Sequence, residues 1–112
     1  MNYEMLENMN ENQLFIEIAK NVHTSVSLLD IDTKDYIKLG KDWVKQNLDI
    51  VKNNLCSEKV NKLLKNESNT KQLVLVISDI LSTYFTDIPV LTFAVLISKI
   101  GIEKICLDEY II

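Results

Sequence analysis

Ile88-Pro89-Val90-Leu91-Thr92-Phe93-Ala94-Val95-Leu96-Ile97-Ser98-Lys99-Ile100 decides how the chain folds. From Val90 onward only Thr92, Ser98 and Lys99 interrupt it, so a helix here is apolar almost around its circumference and must be buried on most sides. The uncharged run, Ile88 to Ser98, is eleven residues, whereas crossing a bilayer takes about 20. Asp79, Asp87 and Lys99 break the wider apolar region, which places it in a protein core. Asp87 and Pro89 suit a helix start, and Gly101 suits its end. Beyond Gly101, Ile102, Ile105, Cys106 and Leu107 keep helical spacing, and the chain ends on Tyr110-Ile111-Ile112, a greasy terminus that needs a docking place.

Working back, residues 71–86 read as an amphipathic helix. Leu73, Val74, Ile77, Ile80, Leu81, Tyr84 and Phe85 fall on its apolar face. β-branched residues at 73–77 and 90–97 make one or two buried strands the competing reading, but the flanking signals favour helix. The polar break Asn66-Glu67-Ser68-Asn69-Thr70 is the best internal loop. Before it, Ser57 caps a short helix with Val60, Leu63 and Leu64 expected to face inward.

Two longer helices come earlier. From Glu11 to Asp30, Leu14, Phe15, Ile18, Val22, Val26 and Leu29 form one stripe, with Asn10 and Gln13 placed for a capping box. Thr33 opens the next, whose stripe is Ile37, Val44, Leu48, Val51 and Leu55; Gly40 inside it signals a bend or a close helix crossing. Residues 1–9 either fray or begin a helix with Met5, Leu6 and Met9 on one side. The expectation is one all-α domain over 1–112, a compact bundle of four to five helices around a nearly all-apolar helix near residues 88–100.

Composition narrows the chemistry. The chain is 47% apolar with a net charge of −4, which excludes a disordered tail, and two Gly and one Pro cannot supply the turns of a β-sandwich. All twelve basic residues are Lys. This composition resembles that of an AT-rich genome, as in bacteria or phage, and offers no guanidinium for bidentate recognition of phosphate or guanine. With an acidic pI near 4.9, no nucleic-acid partner is expected. Charge is segregated along the chain. Residues 1–33 carry one Lys and six acids (net −5), residues 34–72 nine Lys and five acids (net +4), and residues 73–112 two Lys and five acids (net −3). Such blocks suit helices with complementary rims, within one chain or across a symmetric dimer. The N-terminus lacks a basic and apolar leader, so a cytoplasmic location is expected, and with it two buried thiols at Cys56 and Cys106.

No catalytic constellation survives inspection. Leu28-Leu29-Asp30-Ile31-Asp32-Thr33 resembles the first motif of haloacid-dehalogenase-type phosphotransferases, but Lys34 stands where Thr or Val is required and 112 residues are too few for that doubly wound sheet. Read as a calcium loop, Asp30, Asp32 and Asp35 fail because Asp35 occupies the glycine position and Lys41 the final glutamate position. Ending one helix and capping the next explains these aspartates. His23 is the only histidine, which excludes a His-pair metal site. Ser68-Asn69-Thr70-Lys71 fits S-x-x-K without its companion motifs.

An enzyme, a cofactor, a metal and a small-molecule substrate are therefore not expected. The reading is a non-enzymatic protein–protein interaction module that self-associates as a homodimer, or binds another protein, through surplus apolar helical surface. Tyr36, Trp43, Tyr110, Ile111 and Ile112 are its candidate interface residues, with core packing the stronger expectation for Trp43. Two alternatives are an acidic immunity or antitoxin-type protein that sequesters a basic toxin, and a C-terminal helical hairpin that inserts into membrane, although a membrane partner is disfavoured.

Overall fold

The computed structural model describes residues 2–22, 32–66, 69–86 and 88–110. These form α1 (Tyr3–Glu7), α2 (Glu11–Val22), α3 (Thr33–Leu55), α4 (Glu58–Lys65), α5 (Thr70–Ser82), α6 (Val90–Ile100) and α7 (Ile102–Cys106), with no strand among the described residues. The protein is an all-α bundle. The described residues form seven helices where four or five were expected, because short helices form at both ends: Asn8 and Asn10 separate α1 from α2, and Gly101 divides α6 from α7.

α6 is the axis. Thr92 to Ile97 and Ile100 are buried, enclosed by α1, α2, α5 and α7 of the same chain. α3 packs across α2 and against α5 and α7. Gly101 has φ +102, a conformation only glycine adopts without strain, and its N–H donates to the Ile97 carbonyl at 2.9 Å to close α6. Trp43 of α3 is half-buried between Phe85 and Phe93, at ring-centroid distances of 5.6 and 5.2 Å. These tilted and edge-on contacts tie α3 to the α5–α6 turn, each adding about 0.5–1.5 kcal/mol beyond burial. α5 stops at Ser82 instead of continuing to residue 86. That turn brings Phe85 onto the aromatic cluster and leaves Tyr84, expected on the apolar face, half exposed.

The caps follow the sequence closely. Asn10 Oδ1 accepts from the Gln13 N–H at 2.8 Å while Gln13 Oε1 accepts from the Asn10 N–H at 2.9 Å, a reciprocal capping box. Replacing Asn10 with alanine leaves the Gln13 N–H to water and should lower stability by about 1 kcal/mol in urea denaturation. Ser57 Oγ caps α4 through the Val60 N–H, and Asn69 caps α5. Asp32 occupies the cap position of α3 but its side chain makes no capping bond, contrary to expectation. Residues 3–7 form a docked helix with Tyr3 and Leu6 buried, whereas Met5 points outward. Val26, Leu29, His23 and the 28–31 part of the D-x-D stretch lie outside the described residues.

Gly40 marks a close crossing. A Cβ added there would stand 2.1 Å from the Phe15 carbonyl oxygen, so α2 and α3 touch backbone to backbone.

The cysteines overturn the expectation of two buried thiols. Cys56, at the end of α3, and Cys106, at the end of α7, form a disulfide with Cα atoms 5.6 Å apart, and both are only half-buried. Packing of α7 against α3 brings together residues separated by 50 positions, a proximity that sequence spacing cannot reveal. A Lys52–Asp108 ion pair lies beside the bridge. Asp108 itself takes φ 57 as the left-handed residue that ends α7, its N–H and that of Glu109 donating to Ile105 and Lys104 carbonyls.

Candidate interaction surface

The expected interface residues are largely taken up by the fold. Tyr36 is buried, and its hydroxyl finds no hydrogen-bond partner among the described residues. Trp43 belongs to the aromatic cluster. Tyr110 is half-buried and its hydroxyl donates to Glu11 Oε1 at 2.8 Å, pinning the C-terminal segment to the start of α2. Burial first, and then the Glu11 carboxylate, push its phenol up to about 12. Ile111 and Ile112 lie outside the described residues. Tyr36 and Trp43 share α3, whereas Tyr110 is held at the start of α2.

α6 is enclosed by the chain's own helices. The most exposed large apolar side chains among the described residues are Leu107, just past α7 at 66%, and Leu63 of α4. The sequence of α4, Glu58-Lys59-Val60-Asn61-Lys62-Leu63-Leu64-Lys65, is amphipathic, yet only Leu64 is buried; Val60 is half-buried and Leu63 is 58% exposed. α4 has substantial packing only against α3, the helix it follows. Leu63, expected to face inward, therefore faces solvent. Leu63 lies about 100° around the helix from Leu64 and so falls at the edge of the face that Leu64 buries.

Depressions lie on both sides of α4. On one side a cleft of about 360 Å³ runs between α4 and the α6–α7 junction, floored by Leu64, Leu73, Ile100 and Ile102 and edged by Lys65 and Lys104. On the other side a groove is lined by Val60 and Leu63 with Lys59 and Lys62. Lys62 sits 3.8 Å from Glu58, whereas Lys59 and Lys65 have no ion-pair partner among the described residues. The surface is thus an apolar ridge in a mostly cationic rim, anchored at its leading end by the disulfide one residue before Ser57.

A further exposed apolar position is set among mixed charges. Met5 on α1 is 52% exposed, with Glu4 and Glu7 beside it in sequence. Glu4 is hydrogen-bonded by its own backbone N–H and then by Lys71 Nζ at 3.4 Å, which holds its carboxyl below the ordinary value and keeps it charged.

Among the described residues no cluster of three His, Cys, Asp or Glu side chains could hold a metal ion, and no helix is long and apolar enough to cross a membrane. The residues that matter here, Lys59, Leu63 and Lys65, carry a sequence signal in the strong amphipathicity of α4. Their exposure is a tertiary fact. Compared with known proteins, the chain matches no family model, no curated protein and no solved structure.

Proposed function

We propose that the protein is a non-enzymatic protein–protein interaction module that self-associates through α4. One observation carries this reading: α4 leaves Leu63 uncovered beside an apolar cleft. Exposed apolar surface inside a polar rim is the usual anatomy of a protein contact. The disulfide that fixes the start of α4 lowers the conformational cost of using it. That bridge also fits an oxidising compartment better than a reducing cytoplasm. The basic rim of α4 argues against this face as the trap for a basic toxin.

Leu63→Glu tests the proposal. Leu63 is 58% exposed, so the substitution should leave the monomer's stability within about 0.5 kcal/mol. It should weaken self-association about tenfold or more in light scattering. Association unchanged by Leu63→Glu would remove α4 as the contact surface.

A further inference from the structure

The disulfide joins the two walls of the cleft beside α4. Leu64 and Lys65 line that cleft from α4, and Ile102, Glu103 and Lys104 line it from α7. Cys56 stands two residues before α4 begins and Cys106 is the last residue of α7, so one bond ties both walls together. Apart from that bond, α4 packs substantially only on α3, and α7 on α3 and α6.

Little else holds α7 in place. Ile105 is its only buried side chain. Past its end, the ties among the described residues are the Lys52–Asp108 pair, weak because the Asp108 side chain is 73% exposed, and the half-buried Tyr110 with its hydrogen bond to Glu11. Gly101, where α7 leaves α6, has φ +102, and the nearest atom a Cβ there would meet is Lys104 Cγ at 4.0 Å, so the junction is an uncrowded pivot. The remaining helices are fastened to one another without the bridge: the Gly40 crossing joins α2 to α3, and the Trp43–Phe85–Phe93 cluster joins α3 to α6. Both cysteines are half-buried, and Ser57 and Leu107 beside them are exposed, which leaves the bond within reach of a thiolate from solvent.

We propose that Cys56–Cys106 is a redox latch: reduction by a dithiol frees α7 and residues 107–110 to swing away about Gly101, opening the cleft along its α7 wall, while α2, α3, α5 and α6 stay folded. A thiolate of the dithiol attacks one cysteine sulfur, which breaks the S–S bond, forms a mixed disulfide and releases the other cysteine as a thiolate that takes up a proton. The second thiol of the reductant then displaces the cysteine still held. Two electrons and two protons pass from the dithiol to the cysteines, and the reductant leaves as its cyclic disulfide. Opening confined to one weakly packed element is the kind of local transition that costs less than unfolding the whole chain.

Amide hydrogen exchange by NMR on the whole chain, before and after dithiothreitol, tests this whether or not two copies associate. The reporters are the N–H groups of Ile105, Leu107, Asp108 and Glu109, which donate to carbonyls within and just before α7. In the oxidised chain they should be protected about tenfold or more over an unstructured peptide. After reduction, with two thiols titrating, they should exchange within about threefold of that peptide, while the amides of α6 keep about a hundredfold protection or more and the near-ultraviolet dichroism of Trp43 is unchanged. Reoxidation should restore the first pattern, and Cys56→Ser with Cys106→Ser should show the reduced pattern with or without dithiothreitol. A bridge that the folded chain does not yield to dithiothreitol would overturn the latch. So would α7 amides equally protected after reduction or in the double serine variant. Loss of α6 protection and of the Trp43 signal together with α7 would overturn it too, by showing that the bond supports the whole bundle.

Discussion

Replacing Gly40 with alanine should destabilise the protein by about 3 kcal/mol, even though alanine is the better helix former by about 1 kcal/mol. The new Cβ would stand 2.1 Å from the Phe15 carbonyl oxygen, 2.7 Å from its carbonyl carbon and 3.0 Å from its Cα. All three are backbone atoms, so no rotamer change relieves the clash. α2 and α3 must move apart, loosening Phe15, Ile18 and Val44, which are all at or near full burial. Urea or thermal denaturation measures the loss, and a Gly40→Ala protein as stable as the wild type would mean the helices do not cross this closely.

Converting both Cys56 and Cys106 to serine should cost about 4 kcal/mol, because the bridge closes a loop of 50 positions and removes that much chain entropy from the unfolded state. Small domains are stable by about 5–15 kcal/mol, so this is a large share. Reductant should lower the wild type's melting temperature by a similar amount and leave the double serine variant unchanged. A wild type indifferent to reductant, with two titratable thiols, would show that the cysteines are not joined. The loss should be felt first at α4 and α7, whose junctions with α3 the bridge and the neighbouring Lys52–Asp108 pair secure.

Local physics was readable from the residues. The bounds of α6, Val90 to Ile100, follow from an apolar run that ends at a glycine, and the strand alternative at 90–97 loses to it. The Asn10–Gln13 box and the Ser57 cap follow from side chains short enough to reach their own backbone. Gly40 announced a crossing because glycine within a helix costs stability unless something approaches closely.

What was not readable depends on which elements become neighbours. Periodicity identifies the apolar face of α4 but cannot say whether anything covers it, and Leu63 is bare because only the end of α3 packs substantially on that helix. Tyr36 and Trp43 suit an interface by residue type, yet the same bulk serves a core, and here burial and the Phe85–Phe93 cluster claim them. The apolar run at 88–100 pointed to a buried helix, but not to which neighbours bury it: α1, α2, α5 and α7 of the same chain. The pairing of Cys56 with Cys106 required knowing that α7 returns to the end of α3.

Self-association through α4 is most directly tested by sedimentation velocity on the purified, oxidised protein from low micromolar to near-millimolar concentration. The weight-average mass should rise from 12.9 kDa toward twice that value and level off there. A mass of 12.9 kDa throughout the series would contradict it.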